Sequence, residues 1–263
     1  MGLHFDTSEQ TCEYVRSQTD RVVLAFSTGK DSIAAWLQLR KFWTEPGQIV
    51  PIYNSGAVST DGLRNLGFVA KTLAYYEQIF QTKIYSIPHP GFIRQLRYGM
   101  YCSPELLPMR DQLVFQYKAF PEYTANDLNE WLIKNIAELE NAWFATGIRA
   151  KDNLTRRRTI QGQGSVHPMK RKFFPVWDWS IDRLEDELRA NNVKLPIDYH
   201  WWKRSFDDIS YTTTEKIREH VPDDYEAIHF WFPLVDTDAF RHACLEQLND
   251  PELNSDPDYI FCQ

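Results

Sequence analysis

Six consecutive residues, Ser27-Thr28-Gly29-Lys30-Asp31-Ser32, bring together hydroxyls, a glycine, an ammonium and a carboxylate. Ser27, Thr28 and Ser32 offer hydroxyl donors, and Lys30 adds a mobile positive charge. Set between a strand and the start of a helix, such a stretch is an anion site. Backbone N–H groups and the positive end of the helix dipole then face the loop. The stretch is read as a phosphate-binding loop. The plainer alternative is helix capping by Ser and Asp. It is not the Gly-x-x-x-x-Gly-Lys type, because Leu24, not glycine, stands five residues before Gly29.

Arg149 is the second candidate. It follows the apolar run 142–147, which ends in Gly147. A guanidinium just past a strand end suits bidentate phosphate binding, and a structural salt bridge is the alternative. Two basic runs come next, Arg156-Arg157-Arg158 and Lys170-Arg171-Lys172. The segment 159–167 between them carries Gln161-Gly162-Gln163-Gly164 and reads as a flexible loop or hairpin tip. Nucleic-acid contact and a solvated hairpin are both open readings of the basic runs.

The elements that position these residues follow from periodicity. A helix is expected over 9–17, a buried strand over 22–26 and a helix over 30–42. A second strand at 49–53 runs into a small-residue turn, Asn54-Ser55-Gly56. A long amphipathic helix is expected over 61–80 and a third strand over 83–87. Helices follow over 91–98, 104–117 and 127–140. A fourth strand is placed at 142–147, a fifth at 173–177, and a helix capped by Ser180 runs to about 191. This alternation predicts an α/β fold, doubly wound around a mainly parallel five-stranded sheet. Ligands of such sheets bind beyond the carboxyl ends of the strands. The loop 27–32, the turn 54–56, the segment 88–92 and Arg149 therefore share one rim.

After Pro196 the texture changes. Trp201-Trp202-Lys203-Arg204-Ser205 is aromatic and basic, and short helices are expected over 214–220, 225–232 and 238–248. The division is 1–195 for the nucleotide-binding domain and 196–263 for a small, mainly helical C-terminal region. The tail from Asn249 reads as loose.

Of the 263 residues, 43% are hydrophobic and 25% charged, a composition able to bury a large core. The net charge of −7 argues against a general polyanion binder, so any nucleic-acid contact needs a local patch. Cys12, Cys102, Cys244 and Cys262 form no Cys-x-x-Cys pair, which argues against disulfides, a four-cysteine metal site or an iron–sulfur cluster. No apolar run approaches a membrane span, and Met1 to Asp6 does not read as a signal peptide. A cytoplasmic enzyme or binding protein is expected, with a homodimer as an open reading.

Ser27 to Ser32 resembles the PP-loop of ATP pyrophosphatases, Ser-Gly-Gly-Lys-Asp-Ser. Thr28 stands for that pattern's first glycine, which predicts ordinary backbone angles at position 28. Ala145-Thr146-Gly147-Ile148-Arg149 through Arg156 resembles the Thr-Gly-Ile-Arg segment of phosphoadenosine-phosphosulfate (PAPS) reductases. Phe174-Pro175-Val176-Trp177-Asp178-Trp179-Ser180 is similar to that family's Pro-Ile-x-Asp-Trp-Thr segment. Residues 195–234 look like the C-terminal region of phage- and prophage-encoded members. The resemblance implies the adenine nucleotide α-hydrolase-like fold, with ATP or PAPS as ligand and Mg²⁺ as its companion. It implies that Ser27, Thr28, Gly29, Lys30, Asp31 and Ser32 hold phosphates and that Asn54, Ser55, Gly56 and Gly147 border the adenosine. Arg149 and Arg156 would meet the phosphate or sulfate end, with Lys30, Asp31 and Arg149 as the catalytic set. Three functions remain: adenylyl transfer to an unidentified acceptor, PAPS reduction with Cys262 as nucleophile, or sequestration of a nucleotide. Cys262 lacks the Glu, Gly, Leu and His that surround the family's reactive cysteine.

Overall fold

A computed structural model describes residues 2–55, 58–59, 62–63, 65–88, 98, 101–109, 139–206 and 209–248. The expected helices over 91–98 and 127–140 lie almost wholly outside these residues. So do Gly56, residues 89–92, and the tail from 249 with Cys262.

The chain divides into two compact units. The first comprises residues 1–55, 67–90 and 118–205. Its helix α1 (Ser8–Gln18) is started by Thr7, whose hydroxyl accepts from the Gln10 N–H. Strand β1 (Val22–Ala25) follows, then α2 (Lys30–Leu39) and β2 (Ile49–Ser55). After α3 (Gly67–Phe80) comes a strand, Tyr85–Pro88, numbered β5 because the second unit contributes β3 and β4. Next are β6 (Trp143–Thr146), α4 (Leu154–Gln163), β7 (Val166–His167), β8 (Lys172–Phe173), α5 (Ile181–Ala190) and α6 (Asp198–Trp202).

The sheet runs β5-β2-β1-β6-β8-β7. The first five strands are parallel, and β7 pairs antiparallel with β8. The α/β class and the five parallel strands are as expected. The sixth strand comes from the stretch read as a loop. From β1 the chain builds outward to β2 and β5, then crosses back to place β6 on the other side of β1. The sheet's order therefore reverses between β1 and β6, where open α/β sheets form their binding crevice.

Burial explains these elements. Val22, Val23 and Leu24 are all buried, as a central parallel strand requires. Helix α2 is buried on nearly every residue from Ser32 to Leu39, so it reads as apolar almost all round. Phe26 meets Tyr76 and Phe80 of α3 edge-on at 5.4 and 5.9 Å, and Trp36 stacks on Phe80 at 4.6 Å. Helix α1 is tied by indole donors: Trp179 Nε1 to Ser8 Oγ at 3.0 Å and Trp177 Nε1 to Thr11 Oγ1 at 3.2 Å.

Several boundaries differ from expectation. Asn54 and Ser55 continue β2 and pair with Ile87 and Pro88 of β5, so they form no turn. Helix α3 begins at Gly67, not 61. The fifth parallel strand is only Lys172–Phe173, and Phe174, Pro175 and Val176 continue as buried irregular chain. The largest correction is 159–167. Asn153 caps α4 by accepting the Arg156 N–H at 2.8 Å, so the helix continues through Gln163. Gly164 ends it at φ +82°, where a Cβ would lie 2.2 Å from the Leu3 carbonyl oxygen.

The second unit comprises residues 56–66, 91–117 and 206–263. It holds the antiparallel pair β3 (Val58–Ser59) and β4 (Gly62–Leu63) and the helices α7 (Tyr211–His220), α8 (Pro222–Trp231) and α9 (Val235–Leu248). Pro104–Leu106 forms a 3-10 turn. Ile217, Ile228, Trp231, Phe232 and Val235 are buried. Tyr225 donates its hydroxyl to the Asp236 carboxylate at 2.8 Å. Among the described residues, no helix is long and apolar enough to cross a membrane.

Candidate functional site

The loop 27–32 joins β1 to α2, and Gly147 to Arg149 leave β6, the next strand in the sheet. The two segments touch. A Cβ at Gly147 would lie 2.4 Å from the Asp31 carbonyl oxygen and 2.9 Å from the Ser32 nitrogen. Only glycine lets β6's exit pass this close to the first turn of α2.

Within the loop, Thr28 has φ +61°, and its side chain is buried. This corrects the expectation of ordinary angles: the β-branched residue adopts the left-handed conformation that a glycine would adopt freely. Its hydroxyl donates to the Ser27 carbonyl oxygen at 2.6 Å. Ser32 Oγ donates back to the Gly29 carbonyl oxygen at 2.8 Å, and the Ser32 and Ile33 N–H groups reach that same carbonyl at 3.0 and 3.1 Å. Ser27 is exposed, and its hydroxyl lies 3.4 Å from both the Gly29 nitrogen and Ser32 Oγ. The N–H groups of Thr28 and Asp31 have no hydrogen-bond partner among the described residues. Ser27, Thr28, Gly29, Lys30, Asp31 and Ser32 thus form one internally hydrogen-bonded turn.

Arg149 is 3% exposed. Its Nε pairs with Asp31 Oδ1, one Nη lies 3.6 Å from Asp152 Oδ1, and the other donates to the Trp179 carbonyl oxygen at 3.5 Å. Lys30 Nζ meets the second Asp31 oxygen at 3.1 Å. Arg156 pairs with Asp152 at the start of α4. Three cations thus face two carboxylates beside the loop. The structure brings together Lys30, Asp31, Gly147 and Arg149, and Asp152 links them to Arg156. Asn54 is exposed at the end of β2, one strand away. Gly56 and Cys262 lie outside the described residues.

Two participants escaped the sequence reading. Tyr199, on α6, accepts the Lys30 backbone N–H on its hydroxyl at 2.9 Å. Ser205 Oγ lies 3.1 Å from where a Gly29 Cβ would be. Burial, with the Asp31 and Asp198 charges adding to it, pushes the Tyr199 phenol upward, against the lowering effect of the Lys30 N–H, so it stays neutral at physiological pH. The only sequence signal was an unusual aromatic density at 199–202.

Among the described residues, no three His, Cys, Asp or Glu side chains meet as a metal site. Asp31 is already engaged by Arg149 and Lys30. These residues fit a magnesium ion carried on a nucleotide's phosphates, the usual habit of that ion, rather than one caged by the protein.

No protein-family model matches the chain. No curated protein matches it either. Among solved structures, the U34-tRNA thiolase NcsA from Methanococcus maripaludis, described with its 4Fe-4S cluster, aligns at a TM-score of 0.40 and 13% identity, over 89% of this chain and 78% of that one. The NH3-dependent NAD synthetase from Campylobacter jejuni, in complex with nitrate, aligns at 0.40 and 14%, over 92% and 95%. Both are likenesses of chain path at low identity, and neither protein's chemistry is carried over.

Proposed function

We propose that this chain is an adenine-nucleotide-binding enzyme of the PP-loop type. In this reading it cleaves ATP between the α and β phosphates and passes AMP to an acceptor. The observation that carries the reading is the loop 27–32. It lies at the point where the sheet's order reverses, and it is held against β6's exit by a glycine that no larger residue could replace.

In this mechanism the loop N–H groups, the Ser27 hydroxyl and Lys30 receive the phosphates and offset their charge. The Asp31 carboxylate does not touch phosphate. It orients Lys30 and neutralises Arg149. An acceptor oxygen attacks the α phosphorus, the bond to the bridging oxygen breaks, and pyrophosphate leaves with that electron pair. When bound, a magnesium ion on the nucleotide's phosphates would offset the charge of the leaving group, with Lys30 and the loop N–H groups holding the phosphates beside it.

Adenylyl transfer is preferred to thiol-dependent PAPS reduction because Cys12, the one described cysteine of the first unit, offers no thiolate. Burial first, and then the charge of Glu9 and Asp178, pushes the Cys12 thiol upward. PAPS reduction would rest on Cys262 as nucleophile, Cys102 being buried. Nucleic acid as acceptor rests on Arg157 and Arg158, which are exposed on α4, and on Lys170.

The test is exchange of labelled pyrophosphate into ATP, scanned over candidate acceptors including RNA and DNA. Exchange that requires Lys30 is expected. Tight ATP binding with no exchange under any condition would leave a sequestering module. Sulfite release from PAPS, lost in Cys262→Ser, would make the protein a reductase.

A further inference from the structure

The hydroxyl of Tyr199 sits where the nucleotide reading needs an anion. It accepts the N–H of Lys30, the first residue of α2, at 2.9 Å. That N–H is one of the orphan donors at a helix N-terminus and points along the positive end of the dipole. The same segment brings Ser205 Oγ against Gly29. All four residues belong to the first unit.

We propose that Tyr199 is a gate on the phosphate-binding loop: its hydroxyl and a phosphate oxygen compete for the Lys30 N–H, and binding of the nucleotide displaces α6. This rests on the reading of 27–32 as a phosphate loop and adds to it a moving part.

The competition favours phosphate on chemical grounds. Tyr199 is a neutral phenol, and a hydrogen bond to an ionised oxygen is about twice as strong as one to a neutral acceptor. The segment is also built to move. Helix α6 has only five residues and ends at Lys203, whose φ of +60° breaks the helical path. It is seated through the rings of Trp201 and Trp202 on Phe68, with centroids 5.4 and 6.2 Å apart. A rigid-body swing of 198–205 would release Tyr199 and Ser205 together and leave α2 in place.

The gate makes two measurable demands, with inorganic pyrophosphate as probe. Tyr199→Phe keeps the ring and removes the competing oxygen, so pyrophosphate should bind the variant roughly threefold to tenfold more tightly by calorimetry, the worth of one net hydrogen bond. In the unaltered protein, amide exchange across 196–205 should rise when pyrophosphate is added. Equal or weaker binding by Tyr199→Phe, with binding by the unaltered protein intact, removes the gate and leaves the site. Unchanged or slower exchange at 196–205 on binding does the same. If pyrophosphate binds neither protein, the phosphate site falls, and the gate with it.

Discussion

The guanidinium of Arg149 is buried against the carboxylate of Asp31, a residue 118 positions away in the chain. This pairing fastens β6's exit to the first turn of α2. It gives Arg149 a job before any ligand arrives.

Arg149→Met should therefore unfold the site rather than merely weaken a ligand. Removing the guanidinium leaves Asp31 with Lys30 as its charged partner among the described residues and takes a donor from the Trp179 carbonyl, at a cost of about 1–3 kcal/mol. Urea denaturation checks this without any nucleotide. Arg149→Lys should recover little, because an ammonium cannot reach Asp31, Asp152 and the Trp179 carbonyl together. Full stability in Arg149→Met would return the residue to a pure ligand-binding role.

Gly147→Ala should cost roughly 2 kcal/mol and abolish pyrophosphate binding. The added methyl would have to push backbone, not a flexible side chain, away from Asp31 and Ser32. By contrast, Gly162→Ala should be neutral or slightly stabilising, since a Cβ there meets nothing within 4 Å and alanine suits a helix. Thermal unfolding of the two variants side by side makes the comparison.

At Thr28 the usual order of alanine and glycine should invert. Both substitutions remove the buried hydroxyl and γ-methyl, but only glycine, which also lacks the Cβ, tolerates φ +61° without strain. Thr28→Gly should be more stable than Thr28→Ala by about 1 kcal/mol. Alanine equal to or better than glycine would show that the loop relaxes to another backbone conformation.

His167 supplies a pH dependence. Burial lowers its pKa, and the nearby Lys172 and Lys170 charges lower it further. A base with a depressed folded pKa takes up its proton first in the unfolded chain. Stability should then fall as pH drops through the ordinary imidazole range near 6.5 and level off below the folded pKa. In His167→Gln the stability lost between pH 7.5 and 5.5 should be smaller than in the unaltered protein. An identical slope would show that other groups carry this limb.

Much of the scaffold was legible in the sequence. The apolar runs and their spacing located five parallel strands, because a strand buried on both faces must be continuously apolar. Ser180 marked a helix start through its own hydroxyl, which accepts the Arg183 N–H. The loop 27–32 was legible for the same reason: its hydroxyls, glycine and lysine are contiguous. What failed was long-range. The stretch 159–167 looks like a loop by composition, yet Gly164 is a helix terminator pressed against Leu3, and the sixth strand follows from that contact.

The sequence by itself determined an α/β chain with a loop of hydroxyls, glycine and lysine after its first strand, since both depend on residues within a few positions of each other. The tertiary structure decided which groups that loop presents. Thr28 takes a backbone conformation its residue type disfavours. Arg149 is turned inward to Asp31, and a tyrosine 169 residues downstream caps Lys30. Each arises between segments distant in the chain, where packing and buried charge outweigh local preference.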